Sequence, residues 1–381
     1  MAKYVLLSVP STIDSLKATI ANNGTVVPFT VPKFKIGTLD ALVQQADDLA
    51  RLDSACEALV AKVGDSLRTL YDGDSAKAAD QKTVNDKPTD QYLRSYSWNT
   101  VRYKADKPIS ELVNILRQNL NEQDADVKAR LNQYNQVKTN LAALQRKQNG
   151  NLSTKSLTPI VDPAIIIQDS EYLETHLIAV PNNLRKDFIK TYETLTERVV
   201  PRSAIQLAQD TEFVLFAVTT FKKTSADFLQ KCREQKWTPR QYKYVEGGKE
   251  EEKRELERVA REEKKAWGDA LRMARNGWSE SVMIWAHVMA LRVFVESVLR
   301  YGLPLEFVSV LVVTNSKQIK NVKSALDSAY SYIGGNAVGR DKRGRITKDD
   351  AALTSDMAAA GVAGHGEGNE YTAYVYYEFE L

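Results

Sequence analysis

The sequence predicts a mixed α+β protein: an elongated, three-part molecule in which long helices join a discontinuous terminal domain to a second, globular α/β domain. Three observations carry this prediction. Both chain ends read as strands, a run of forty residues has no glycine or proline and repeats its apolar residues every seven, and a charge-alternating stretch follows a mixed central region.

Tyr4-Val5-Leu6-Leu7 opens the chain and Tyr374-Val375-Tyr376-Tyr377-Glu378-Phe379 closes it, both rich in aromatic or β-branched residues. Phe307 to Val313 is a third strand candidate. A single strand is not stable alone, so the three pair in one sheet and everything between is inserted into that domain. From Ile109 to Gln148 a helix is predicted, with Asn149-Gly150-Asn151 as its stop. Val113, Leu120, Val127, Tyr134 and Leu141 form its seam, supported by Leu116, Val137 and Leu144. At 1.5 Å per residue, ~40 residues reach about 60 Å. KEEEKRELERVAREEKK at 249–265 holds seven acids and seven bases, the pattern of a solvated helix with i,i+4 pairs. Two long helices running out and back make a stalk.

Between the two helices, 152–246 mixes strands (Tyr172–Val180, Glu212–Val218) with helices (Pro181–Leu195, Lys222–Gln235) and ends in an extended segment, Lys236 to Tyr244. Tyr242 and Tyr244 lie two apart there and point the same way, with Trp237 nearby. Such aromatics either cover the second domain's core or form a contact surface. The same two readings apply to Tyr374 and the other aromatics of the last strand. Residues 334–370, rich in Gly, Ala and Asp, are expected to be a mobile loop.

The stretch ALRVFVESVLRYGLP at 290–304 is apolar apart from Arg292, Glu296 and Arg300. Four-residue spacing turns a helix by about 40° per step, so the three form one slanted stripe, either bracing the helix internally or meeting a partner. A span needs ~20 residues, and each central charge costs roughly 2.5–3.5 kcal/mol, so a membrane helix is not expected here. Gly302 is placed to cap the helix and Pro304 to stop it.

The totals exclude several classes. With 52 basic and 49 acidic residues, the near balance argues against nucleic acid as a partner. Two cysteines form neither a disulfide framework nor a metal set, which suits a reducing compartment. The N-terminus lacks the pattern of a signal peptide, so a cytosolic protein is expected. No CxxC, HExxH or GxSxG motif occurs, and the 339–344 glycine pair lacks a phosphate loop's Lys and Ser/Thr. His176 and His287 lie in apolar runs as core histidines; His365 sits in a flexible one. No catalytic residue, cofactor or metal is expected.

The 290–304 stretch resembles the C-subunit family of the vacuolar-type proton-translocating ATPase (V-ATPase), almost as a signature. Phe34-Lys35-Ile36-Gly37-Thr38-Leu39-Asp40-Ala41-Leu42, Tyr192-Glu193-Thr194-Leu195, Val199-Val200-Pro201 and the Tyr374–Tyr377 ending support the likeness. Gly334-Gly335-Asn336-Ala337 before a basic loop is similar to fungal members. The resemblance implies a foot from both termini (1–130 and 270–381), neck helices (131–151 and 247–269) and a head (152–246). It implies a non-catalytic stator, peripheral on the cytosolic face of vacuolar membranes. The head would hold one heterodimer of the E and G subunits, and the foot another E–G pair and the N-terminal domain of the membrane a-subunit. Reversible release from the pump is implied, and so is actin binding; an actin-binding cytoskeletal linker is the rival reading. Tyr242, Tyr244 and Tyr374 fall where the family carries aromatics. Together with Trp237, Arg292, Glu296 and Arg300 they are the candidate partner contacts.

Overall fold

The computed structural model describes residues 2–21, 23–167, 170–242, 248–330, 332–333 and 372–381. Tyr244, His365 and the 334–370 loop lie outside them. The chain is a mixed helix-and-sheet protein that divides into two compact units, Met1–Leu131 with Asp269–Leu381, and Asn132–Gly268.

The first unit is built on an antiparallel sheet of order β10-β1-β9-β2: β1 Ala2–Val9, β2 Thr25–Pro28, β9 Val308–Asn315 and β10 Val375–Phe379. The three strands expected from the sequence are thus neighbours, with Leu6 opposite both Leu311 and Tyr377. Period-2 alternation sends Val5, Leu7 and Val9 to one face, where they meet Leu16 and Ile20 of α1 (Ile13–Ile20) and Val322 and Leu326 of α9 (Ile319–Tyr330). Thr12 caps α1, its hydroxyl accepting from the Ser15 N–H. Tyr4 and Ser8 face the other way, toward α8 (Gly248–Tyr301). There the Ser297 hydroxyl donates to the Ser8 hydroxyl at 2.7 Å, and Trp285 meets Phe379 edge-on at 5.4 Å.

Between β2 and α8 the first unit inserts α2 (Leu39–Leu70), α3 (Ser75–Asp80), a hairpin of β3 (Thr83–Val84) and β4 (Lys87–Pro88), α4 (Thr89–Arg94) and the start of α5 (Ile109–Asn149). Asn85 and Asp86 take φ of 50° and 60°, as a two-residue hairpin turn of the primed kind requires. The sequence reading gave no element over α2. Yet Leu42, Ala46, Leu49, Leu52, Cys56, Leu59, Val63 and Leu67 recur at helical spacing and are buried.

The second unit carries a sheet of order β6-β7-β5-β8: β5 Leu173–Pro181, β6 Ile205–Gln209, β7 Phe213–Phe221 and β8 Thr238–Arg240. Ile178 and Val180 face Phe188 of α6 (Arg185–Thr191) and Phe228 and Cys232 of α7 (Ser225–Glu234). Leu177 and Ala179 face Leu152, Leu157 and Val161 on the opposite side. The helix expected over 181–195 is broken, because single 3₁₀ turns flank α6 on both sides. The edge strand β6 escaped the sequence reading; its alternation slips at a register shift between Gln206 and Ala208.

The forty-residue seam is one helix, α5, with Val113, Leu116, Leu120, Val127 and Tyr134 buried. The charged stretch at 249–265 and the apolar stretch at 290–301 prove to be one 54-residue helix, α8. Among the described residues α8 alone is long and apolar enough to cross a membrane, but 83% of its most apolar window is buried inside the protein. Gly302 ends it at φ 76°, a left-handed conformation that glycine adopts without strain, its N–H bonding the Val298 carbonyl at 2.9 Å.

Candidate interaction surfaces and the charged rail

Arg292, Glu296 and Arg300 stand on the face of α8 that meets β10 and α2, so burial and charge are forced together. Arg292 is 2% exposed. Its guanidinium donates to Asp53 of α2, lies 3.4 Å from Glu296 and sits 4.2 Å over the Tyr377 ring. Trp285 Nε1 donates to the second Asp53 oxygen at 2.6 Å, so both carboxylate oxygens are engaged. Burial works against the guanidinium charge, but Tyr377, Glu296 and Asp53 outweigh it and hold Arg292 above its ordinary range. Two turns on, Arg300 Nη1 donates to the carbonyls of Thr372 and Tyr374 at 2.6 and 2.5 Å. The Tyr301 hydroxyl donates to the Ser8 carbonyl and accepts from the Val375 N–H. The rail therefore braces the last strand against α8 and α2. Asp53, its main counter-charge, was missed; a lone acid between the apolar Leu49, Leu52 and Cys56 was the available signal.

The aromatic candidates among the described residues, Trp237, Tyr242 and Tyr374, pack into the fold. Trp237 is 3% exposed and packs edge-on against Phe188 at 4.8 Å. Tyr242 is half-buried on the other side of the same sheet, with Leu215 and Ala217, so the two do not share a surface. Tyr374 is 1% exposed, and its hydroxyl donates to Asp327 at 2.7 Å; burial, then Asp327, raises its phenol far above the usual range. The sequence reading left one face of the last strand open to a partner. Instead both faces are packed: Tyr377 and Phe379 toward α8, Tyr374 and Tyr376 toward α1 and α9. A strand in a sheet covered on two sides buries both halves of its alternation. Large exposed apolar side chains include residues not among the candidate contacts: Val101, Leu39 and Leu303 in the first unit, Tyr172, Ile205 and Phe221 in the second.

His287 and the two cysteines lie within the fold. His287 donates from Nδ1 to the Met283 carbonyl at 2.7 Å and accepts at Nε2 from the Asn99 N–H at 3.0 Å, and burial pushes it down to about 4. Cys56 and Cys232 are free thiols buried in different units, both raised by burial, Cys232 to about 12. A polar cleft of about 570 Å³ opens beside the β3–β4 hairpin, with Arg102 and Glu280 on its wall already paired at 2.5 Å. No three His, Cys, Asp or Glu side chains among the described residues are grouped to hold a metal.

A family model described as the V-ATPase C-subunit matches residues 4–375. The V-type proton ATPase C-subunit of Saccharomyces cerevisiae is 37% identical over 362 residues, covering 92% of both chains. The V-type proton ATPase C-subunit 1 of Xenopus laevis is 34% identical over 389 residues, covering 100% of this chain and 98% of that one. A solved cytoplasmic N-terminal domain of the V-ATPase I-subunit, homolog of the a-subunit, covers 87% of this chain at 13% identity. Its TM-score of 0.36 is too low to speak for fold or partner.

Proposed function

The chain belongs to the V-ATPase C-subunit family, and from that premise we propose that it is a non-catalytic stator and regulatory subunit. It links the E–G heterodimers of the peripheral stalks to each other and to the N-terminal domain of the membrane a-subunit, on the cytosolic face of the membrane. Its release accompanies reversible separation of the soluble and membrane sectors. We assign the foot to 1–130 with 270–381, the neck helices to 131–151 and 247–269, and the head to 152–246.

The observation that supports this most is the extent of the match, 4–375, which takes in both units. The chemistry agrees with it. A stator resists torque through packing, and the charges of the α8 rail are spent on internal bonds rather than aimed into a cleft. A standard interface of about 800 Å² per partner can be strong or weak, which suits contacts that hold under load and yet release. Purified chain mixed with purified E–G heterodimer should co-elute in gel filtration. A folded chain that elutes alone, while cosedimenting with filamentous actin, overturns the stator reading in favour of the cytoskeletal one.

A further inference from the structure

A three-residue polar chain joins β5 to α7 in the second unit. Glu174 and His176 are two apart on β5 and so face the same side as Ile178 and Val180. Ser225 is the first residue of α7 and shares a helix face with Phe228 and Cys232, three and seven residues on, both in that core. Ser225 is thus the polar head of the stripe that docks α7 on the sheet. His176 Nε2 lies 2.8 Å from Ser225 Oγ and 3.1 Å from Thr220 Oγ1, and Ser225 Oγ lies 2.9 Å from Glu174 Oε2. The ring and both hydroxyls are buried, whereas the Glu174 side chain is 48% exposed.

A serine hydroxyl has one proton. The ionised Glu174 is the stronger acceptor, so Ser225 donates to it, and the ring then donates from Nε2–H to Ser225 Oγ. The neutral ring completes the chain. A second proton can go only to Nδ1, and it would place a cation beside the positive end of the α7 dipole. Glu174, 3.9 Å from Nε2, is the counter-charge. The other side chains that meet the ring are neutral, Thr220 from β7 and Ser225 and Phe228 from α7, and the residue paired with His176 across the sheet is Val218. Farther along α7, Asp227 is exposed and pairs with Lys231. Burial wins over Glu174 and holds His176 below the ordinary imidazole range. A second feature makes the chain matter: Thr224, at the N-cap of α7, makes no side-chain capping bond. The first turn is held by the Ser225 N–H bonded to the Lys222 carbonyl, by buried Phe228, and by the Ser225 side chain, which is its polar tie to β5.

We infer that Glu174, Ser225 and His176 form a proton-sensitive latch that holds the first turn of α7 on the second unit's sheet and releases it as the cytosol acidifies. The sign follows from linkage. An undocked turn leaves His176 solvated and free to bind a proton that the latched ring resists, so falling pH favours the undocked form and rising pH restores the latch. The latch works in the free chain and needs no partner.

With only His176, His287 and His365 in the full chain, histidine NMR resolves the titration, and His176→Gln assigns it. In the wild type, amide exchange over Ser225–Phe228, corrected for the intrinsic rate, should quicken several-fold between pH 7.5 and 5.5. His176→Gln should abolish that dependence. Glu174→Gln, at an exposed position, removes the counter-charge, so the latched ring resists its proton more strongly and the release should move to higher pH. Ser225→Ala should leave the turn in fast exchange already at pH 7.5. Unchanged pH dependence in His176→Gln, or an unmoved release pH in Glu174→Gln, overturns the latch.

Discussion

Arg292 shows how one residue can be costly to bury and still be kept. It is almost wholly inside, and Asp53, Glu296 and the Tyr377 ring surround it. Replacing it with methionine leaves Asp53 and Glu296 with 21% and 14% exposure and no counter-charge. Removing one partner of such a pair should cost about 3 kcal/mol, seen as a lower urea midpoint for Arg292→Met. Asp53→Asn in the same chain should recover part of the loss, and strict additivity of the two changes would show that they do not interact. The spacing of the rail was legible in sequence because four-residue periodicity is local. Its counter-charge was not, because Asp53 is 239 positions away and nothing within 49–56 says which helix it will face. Trp237 and Tyr374 were visible as aromatics, but whether an aromatic faces core or partner depends on what covers the sheet's second side.

Among elements, α5 and α8 gave the clearest sequence signals, an unbroken seam and an unbroken charge pattern. The seam also sets how closely they approach. A Cβ on Gly277 of α8 would stand 2.6 Å from Val127 Cγ2 of α5, and valine on a helix has little rotamer freedom to yield. Gly277→Ala should therefore destabilise the chain by about 2 kcal/mol despite alanine's better helix propensity. Val127→Ala combined with it should restore most of the melting temperature. A stabilising Gly277→Ala would show that the helices are free to move apart. Elements with few local cues were missed. Strand β2 is four residues ending in proline, β6 carries a register shift, and α2 hides its stripe among scattered charges.

At the scale of the whole molecule, the pairing of the two chain ends was legible because strand-like termini must find partners, and they find each other in one sheet. Partners were not legible from pattern: the candidate aromatics of the core were chosen by type, while Tyr172 and Val101, far more exposed, had no pattern to mark them. Family membership supplies the assembly, and the contacts within it are what experiment must assign. Cross-linking of this chain inside the intact pump, read by mass spectrometry, tests the stator reading most directly. Lysines of 152–246 should link to one E–G heterodimer, and lysines of 1–130 and 270–381 to a different E–G heterodimer and to the N-terminal domain of the a-subunit. Links from both sets to a single E–G copy, or none to the a-subunit, would contradict it.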